Sequence, residues 1–159
     1  MNPAAVGIRR LDLSQPADSR LLARLTAEYA AEARGTPLDA SVTAALPAAL
    51  ATHPGLLAWL AEENGEPLGH ALCMLGFSSY RAAPVMNLHD LAVRPAARGR
   101  GLARRLLAAV EEEARRLACA RLTLEVSPDN QTARRLYRSA GFCDSHPDGL
   151  PHLMLEKPL

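Results

Sequence analysis

The sequence predicts an α/β (α+β) fold of about seven strands and four helices in a single domain over residues 1–159. Three observations carry this. Hydrophobic residues make up 48% of 159 residues, enough for an ordered core of one domain. Short apolar runs of strand character alternate with longer stretches of helical period. Asn64-Gly65, set between two apolar runs, is a strong hairpin signal.

The elements follow in order. Residues 7–11 read as a short strand, and 16–33 as a helix with Leu21, Leu22, Leu25 and Tyr29 on one face. Gly35 and Pro37 end it. Asp39 is placed to cap a second helix reaching about Thr52, with Pro47 as a kink or break. Strands are expected at 56–62 and 67–77, then a loop over 78–84 and a further strand at 85–93. A loop rich in Arg and Gly leads into the clearest helix, 101–117. There Leu102, Leu106, Val110, Ala114 and Leu117 form an apolar stripe, and Glu111–Arg115 and Glu112–Arg116 lie at favourable four-residue spacing. Residues 121–126 alternate as a strand, 130–140 form a short helix ended by Gly141, and 142–145 and 153–156 read as two last strands.

Composition narrows the class. A net charge of +1, with only two Phe, three Tyr and one Trp, argues against a nucleic-acid partner. The cationic residues are seventeen arginines and one lysine, Lys157. Three cysteines, Cys73, Cys119 and Cys143, form no C-x-x-C pair, which points away from a disulfide framework or a zinc site and towards a reducing compartment. The N-terminus lacks the pattern of a signal peptide, and no apolar run nears the ~20 residues needed to cross a bilayer. A cytoplasmic protein without a membrane partner is expected. The five histidines show no metal spacing, so no metal is expected either.

Two segments carry chemistry. In the first, residues 91–103, a strand enters a loop holding Gly99 and Gly101, and the loop opens directly into a helix. The first N–H groups of a helix have no internal partner and carry the positive end of its dipole. With Arg98 and Arg100 beside them they make an anion site suited to a pyrophosphate. The segment lacks both the G-x-G-x-x-G of a dinucleotide fold and the G-K-[ST] of a P-loop. The second segment, residues 124–142, contains Asn130, Ala133, Leu136, Tyr137, Gly141 and Phe142 at spacings N-x-x-A-x-x-L-Y-x-x-x-G-F. Read by themselves, Ala133, Leu136, Tyr137 and Ala140 are the packed face of a helix.

Arg98-Gly-Arg-Gly101-Leu-Ala103 matches the R/Q-x-x-G-x-G/A signature of the GNAT acetyltransferases, and the second segment resembles that family's other signature at every fixed position. The resemblance is strong over about 67–142 and rests, before that, only on element order. It implies the GNAT acyl-CoA N-acyltransferase fold: a strongly twisted, mixed and mostly antiparallel sheet with helices on both faces. The 101–117 helix would cross between parallel strands 85–93 and 121–126. It implies acetyl-CoA as acyl donor. The loop residues Arg98, Gly99, Arg100, Gly101, Leu102 and Ala103 would hold its pyrophosphate. Backbone groups of Leu91, Ala92 and Val93 would hold its arm where the strand splays from its neighbour. Asn130, Ala133 and Tyr137 complete the implied cofactor set.

An alkyl ammonium has a pKa near 10.4, so deprotonating it at neutral pH costs about 4–5 kcal/mol, and a base is useful. Tyr137 matches the family's general acid, which would protonate the departing thiolate. His89 stands where related arylalkylamine enzymes carry histidine and polyamine enzymes glutamate; a free imidazole near pKa 6.5 is a workable base. Asp90 faces the other way on a regular strand, and a bulge would reverse which of the two lines the cleft. The base therefore stays open between His89, Asp90 and water. Glu28, Tyr29, Glu32, Asp39 and the loop from Phe77 to Arg81 lie in the region that builds the acceptor side. Their acidic members suit a cationic acceptor or are a solvated helix face. The partner expected is a small-molecule amine, with a homodimer left open. The alternatives are acetylation of a protein N-terminus or lysine, and a non-catalytic acyl-CoA sensor.

Overall fold

The computed structural model describes residues 6–143 and Lys157. The chain divides into two compact units, Met1–Glu125 and Val126–Leu159. The first holds β1 (Gly7–Arg10), α1 (Pro16–Arg34), α2 (Ala40–Thr52), β2 (Leu56–Glu63), β3 (Glu66–Ser78), β4 (Ala83–Val93), α3 (Leu102–Arg116) and β5 (Leu122–Leu124). The second holds α4 (Gln131–Ser139).

The strands form one sheet in the order β1-β2-β3-β4-β5. The first three pairings are antiparallel and β4–β5 is parallel. Five strands are thus seen among the described residues, where about seven were expected. The two expected at 142–145 and 153–156 fall, apart from Phe142 and Cys143, outside those residues. α3 makes the crossover between the parallel strands, as anticipated.

Local chemistry explains the elements. α1 begins on Pro16, which needs no N–H partner at the first helical position. Asp18 in its first turn accepts from the Asp12 N–H and from both terminal nitrogens of Arg9. That guanidinium holds the Asp18 carboxyl below its usual range. Gly35 ends the helix in the left-handed region at φ 71°. Asn64 and Gly65 both take positive φ, 53° and 78°, as the tight turn between β2 and β3 requires. α2 runs on through Pro47, and Asp39 sits at its cap position without a side-chain bond.

The core has two layers on the sheet. α1 and α2 cover one face with Leu22, Leu25 and Leu50 against Ala58, Leu60 and Leu72. α3 packs on the other with Leu102, Leu106, Leu107, Val110 and Ala114, all buried. Helices therefore lie on both faces. Gly69, opposite Val93, is required by space: a Cβ there would lie 2.5 Å from the Ala92 carbonyl oxygen.

His70 is a polar intruder on the α1 face. It is opposite Leu60 and Ala92, 2% exposed, edge-on to the Tyr29 ring, and its Nε2 has no hydrogen-bond partner. Burial lowers its pKa to about 4, so the fold holds a neutral imidazole. A folded pKa below the unfolded value gives stability that is present above the unfolded pKa of 6.5 and is lost as pH falls towards 4. From pH 7 to 4 the wild type should lose roughly 3 kcal/mol more than His70→Leu, read from guanidinium unfolding at both pH values. Equal losses would mean that the imidazole is charged in the folded chain.

Candidate functional site

The site forms where β4 outruns its parallel neighbour. β4 and β5 pair only through Met86↔Leu122, Asn87↔Thr123 and Leu88↔Leu124. β4 continues to Val93, so Leu91, Ala92 and Val93 face the β5 side beyond the last pair. Asn87 closes the paired part by donating from Nδ2 to Thr123 Oγ1 at 3.1 Å. Glu125 follows directly on Leu124 and is exposed. β5 is shorter than the 121–126 predicted from alternation because its partner strand changes course at the same level.

That change is a bulge. On β3, Cys73 pairs with Leu88 and the adjacent Leu72 pairs with Asp90, which leaves His89 as the extra residue. Leu72 belongs to the core layer under α1 and α2, so the bulge brings Asp90 to that face. On a regular strand Asp90 would share the face of Leu88, beneath α3. His89 is exposed; Asp90 is half-buried. Burial pushes the Asp90 carboxyl up, a rise the neighbouring His89 partly offsets. Tyr29 of α1 is also raised, by its own burial and then by Asp90 and Glu32, with Arg98 opposing. Cys73, buried beside the same carboxylate, is pushed up to about 12 and is no nucleophile.

The loop after β4 begins with a short 3-10 turn at Pro95–Ala97. Gly99 and Gly101 take positive φ, 77° and 74°, and a Cβ on either would meet nothing within 4 Å. Here glycine serves backbone direction, and the space above the loop is open. Gly101 caps α3 without any side-chain bond, and no acidic residue occupies the first turn. Uncapped N–H groups at Leu102 and Ala103 together with arginines form a donor set that fits a pyrophosphate.

The arginines already hold partners. Arg98 donates from Nε to the Val93 carbonyl at 3.0 Å and pairs with Glu32. Arg100 pairs with Glu63 at 2.7 Å. Arg94, which the sequence reading passed over, donates to both oxygens of Glu28 at 2.9 Å, to Glu66 at 2.6 Å and to the Pro67 carbonyl at 2.8 Å. Glu28 and Glu32, each exposed, are thus paired with the chain's own arginines.

In the second unit, Asn130 caps α4, its Oδ1 accepting from the Ala133 N–H at 3.0 Å. Two residues of the sequence signature therefore have a helix-capping relation. Tyr137 packs edge-on to Phe142, whose N–H donates to the Tyr137 carbonyl at 3.0 Å.

Other features lie apart. Phe77 and Tyr80, 70% and 101% exposed, sit at the β3–β4 hairpin, at the other end of β4 from the glycine loop. A hollow of about 480 Å³ opens beside the first residue of β2, far along that strand from Glu63 and Arg100. Its polar groups are engaged, Arg10 with Glu113 and Asp12 with Ser14. Among the described residues no three His, Cys, Asp or Glu side chains are grouped to hold a metal ion, and no helix is long and apolar enough to cross a membrane.

Comparison with known proteins agrees with this geometry. The profile described as "Acetyltransferase (GNAT) family" matches residues 20–142. The chain is 35% identical over 113 residues to the uncharacterized N-acetyltransferase YhfO of Bacillus subtilis, covering 71% of this chain and 74% of that one. It is 32% identical over 87 residues to an aminoalkylphosphonate N-acetyltransferase of Salmonella typhimurium, covering 55% and 56%. A crystal structure of a putative acetyltransferase from Arthrobacter superposes with a TM-score of 0.78 at 29% identity, covering 100% of this chain and 99% of that one.

The Asp90 environment has a consequence for stability. A carboxyl whose folded pKa is raised gives stability that is complete below its ordinary value of 3.8 and lost as pH rises through the folded pKa. Asp90→Asn should therefore raise the denaturation midpoint at pH 7, and the gain should shrink to nothing as pH approaches 3.8. An Asn variant weaker than wild type at pH 7 would reveal a favourable partner for the carboxylate.

Proposed function

The chain belongs to the GNAT acetyltransferase family, and from that premise we propose that it transfers acetyl from acetyl-CoA to the primary amine of a small molecule, as a single cytoplasmic domain over residues 1–159. The observation that carries the reading is the end of β4–β5 pairing at Leu88↔Leu124, with β4 running on into an uncapped, glycine-bearing helix N-terminus. The Salmonella relative, named for an aminoalkylphosphonate acceptor, supports a small amine over a protein lysine or N-terminus.

Acetyl-CoA supplies the acetyl group already activated as a thioester. The N–H groups at Gly99, Gly101, Leu102 and Ala103 would hold its pyrophosphate, and Arg98 and Arg100, whose guanidiniums pair with Glu32 and Glu63, would add positive charge beside it. The unpaired backbone edge of Leu91, Ala92 and Val93 holds its arm and offers an N–H donor to the carbonyl oxygen. Asn130 and Ala133, which the family signature adds to the proposed cofactor set, form the cap of α4. Asp90 is the base favoured over His89, because the bulge turns it to the α1 face in a half-buried setting that raises its proton affinity. Its carboxylate accepts a proton from the acceptor ammonium, directly or through water. Tyr137 Oη is the proposed proton donor to the sulfur. A sensor that binds acyl-CoA without turnover would make no use of Asp90, and thiol release in the presence of an amine panel separates it from the enzyme.

Gly101→Glu should abolish acetyl-CoA binding by calorimetry, since it places volume and negative charge in the anion site. Gly101→Ala controls for the cost of positive φ and should still bind. A Glu variant that binds normally would sink the assignment.

With an accepted amine in hand, Asp90→Asn and Tyr137→Phe should each lower kcat by roughly 10²–10⁴ while acetyl-CoA affinity holds. His89→Ala should stay near wild type. Rate against pH should rise through an apparent pKa above the ordinary carboxyl value and lose that limb in Asp90→Asn. Silencing by His89→Ala alone would reverse the choice of base.

A further inference from the structure

α1 is held by different forces along its length. Its buried residues, Ser19, Leu22, Ala23 and Leu25, all lie in the first ten positions. From Thr26 onwards no residue of the helix is buried, yet this half carries Tyr29, whose ring meets His70 edge-on. This half is covered less completely than the first. Its ion pairs run to the segment that follows β4: Glu28 to Arg94 and Glu32 to Arg98, four residues apart on both sides.

We propose that Arg94 is a positioning residue for acetyl transfer: it fastens the second half of α1 to the end of β4, and so holds Tyr29 against His70 on the sheet face that carries Asp90, where the acceptor amine enters. The acceptor part of this rests on the function proposed above. Arg94 is suited to the task. Its backbone N–H donates to Leu68 O at 2.8 Å, which continues the β3–β4 pairing one residue past the end of β4. Its planar fork then grips Glu28 with two bonds, while Nη1 reaches Glu66 and the Pro67 carbonyl. One guanidinium thus joins α1, the start of β3 and the end of β4. An exposed single ion pair contributes little; here the side chain is only 28% exposed, the carboxylate contact is bidentate, and the group is shared by three elements. Lysine has the charge but not the fork.

The test uses Arg94→Gln, Arg94→Lys and Glu28→Gln in the full chain. Amide hydrogen exchange over residues 26–34 should quicken roughly tenfold in all three, while residues 16–25 keep their rates. For an amine the wild type accepts, KM should rise roughly tenfold, with kcat and acetyl-CoA affinity within about twofold. The double variant Arg94→Gln with Glu28→Gln should be no worse than either single change. Unchanged exchange over 26–34 overturns the fastening. Faster exchange with an unchanged amine KM overturns the positioning role and leaves a structural one. An equal loss of acetyl-CoA affinity overturns it in favour of direct contact with the cofactor. Should the wild type acetylate no amine, the transfer reading fails by itself, and the exchange rates still decide whether Arg94 holds α1.

Discussion

One extra residue in one strand decides which side chains of β4 face α1 and which face α3. Without His89, β4 would pair evenly with β3, Asp90 would face α3, and nothing would turn the strand where its parallel neighbour leaves it. A bulge costs a ladder position and leaves a residue unpaired. In return it moves a carboxylate from the α3 face of the sheet to a half-buried place on the face under α1 and α2. The surrounding elements are arranged to keep that irregularity in place. Gly69 lets β3 approach within a distance that no side chain would permit, and buried Met86 and Leu88 anchor the regular part of β4 before the bulge.

Much of the fold could be read from the chain because its signals are local. The Asn64-Gly65 turn, the apolar stripe of α3, Gly35 at the end of α1 and the two glycines before α3 each reflect a backbone requirement met within a few residues. The same holds for the Asn130–Ala133 relation, which is a helix cap as much as a signature. Alternation overstated β5, because its end is set by the course of β4 and not by its own residues. Which of His89 and Asp90 faces α1 was beyond the sequence for a similar reason: a one-residue shift of register flips every side chain, and register is decided by a partner strand.

Partnerships across the chain were hidden most completely. Glu28 and Glu32 looked like an acidic helix face, open to solvent or to a cation. Their arginines lie 66 residues away, and no spacing rule connects them. Arg94 stood just outside the glycine signature and looked like one more basic residue in an arginine-rich loop. His70 is the opposite case, a polar residue on an apolar strand that is simply buried and neutral.

The choice of cation has its own meaning for a chain of this family. The contacts that anchor the glycine loop and α1 use Arg94, Arg98 and Arg100, and the sequence contains a single lysine, Lys157. A guanidinium keeps its proton at any pH at which the fold survives and offers no lone pair to an activated acyl group. A lysine in the same position would be a nucleophile in waiting, and its modification would erase the charge. If the proposed transfer takes place here, a scaffold built from arginine leaves its structural cations inert to the acyl group beside them.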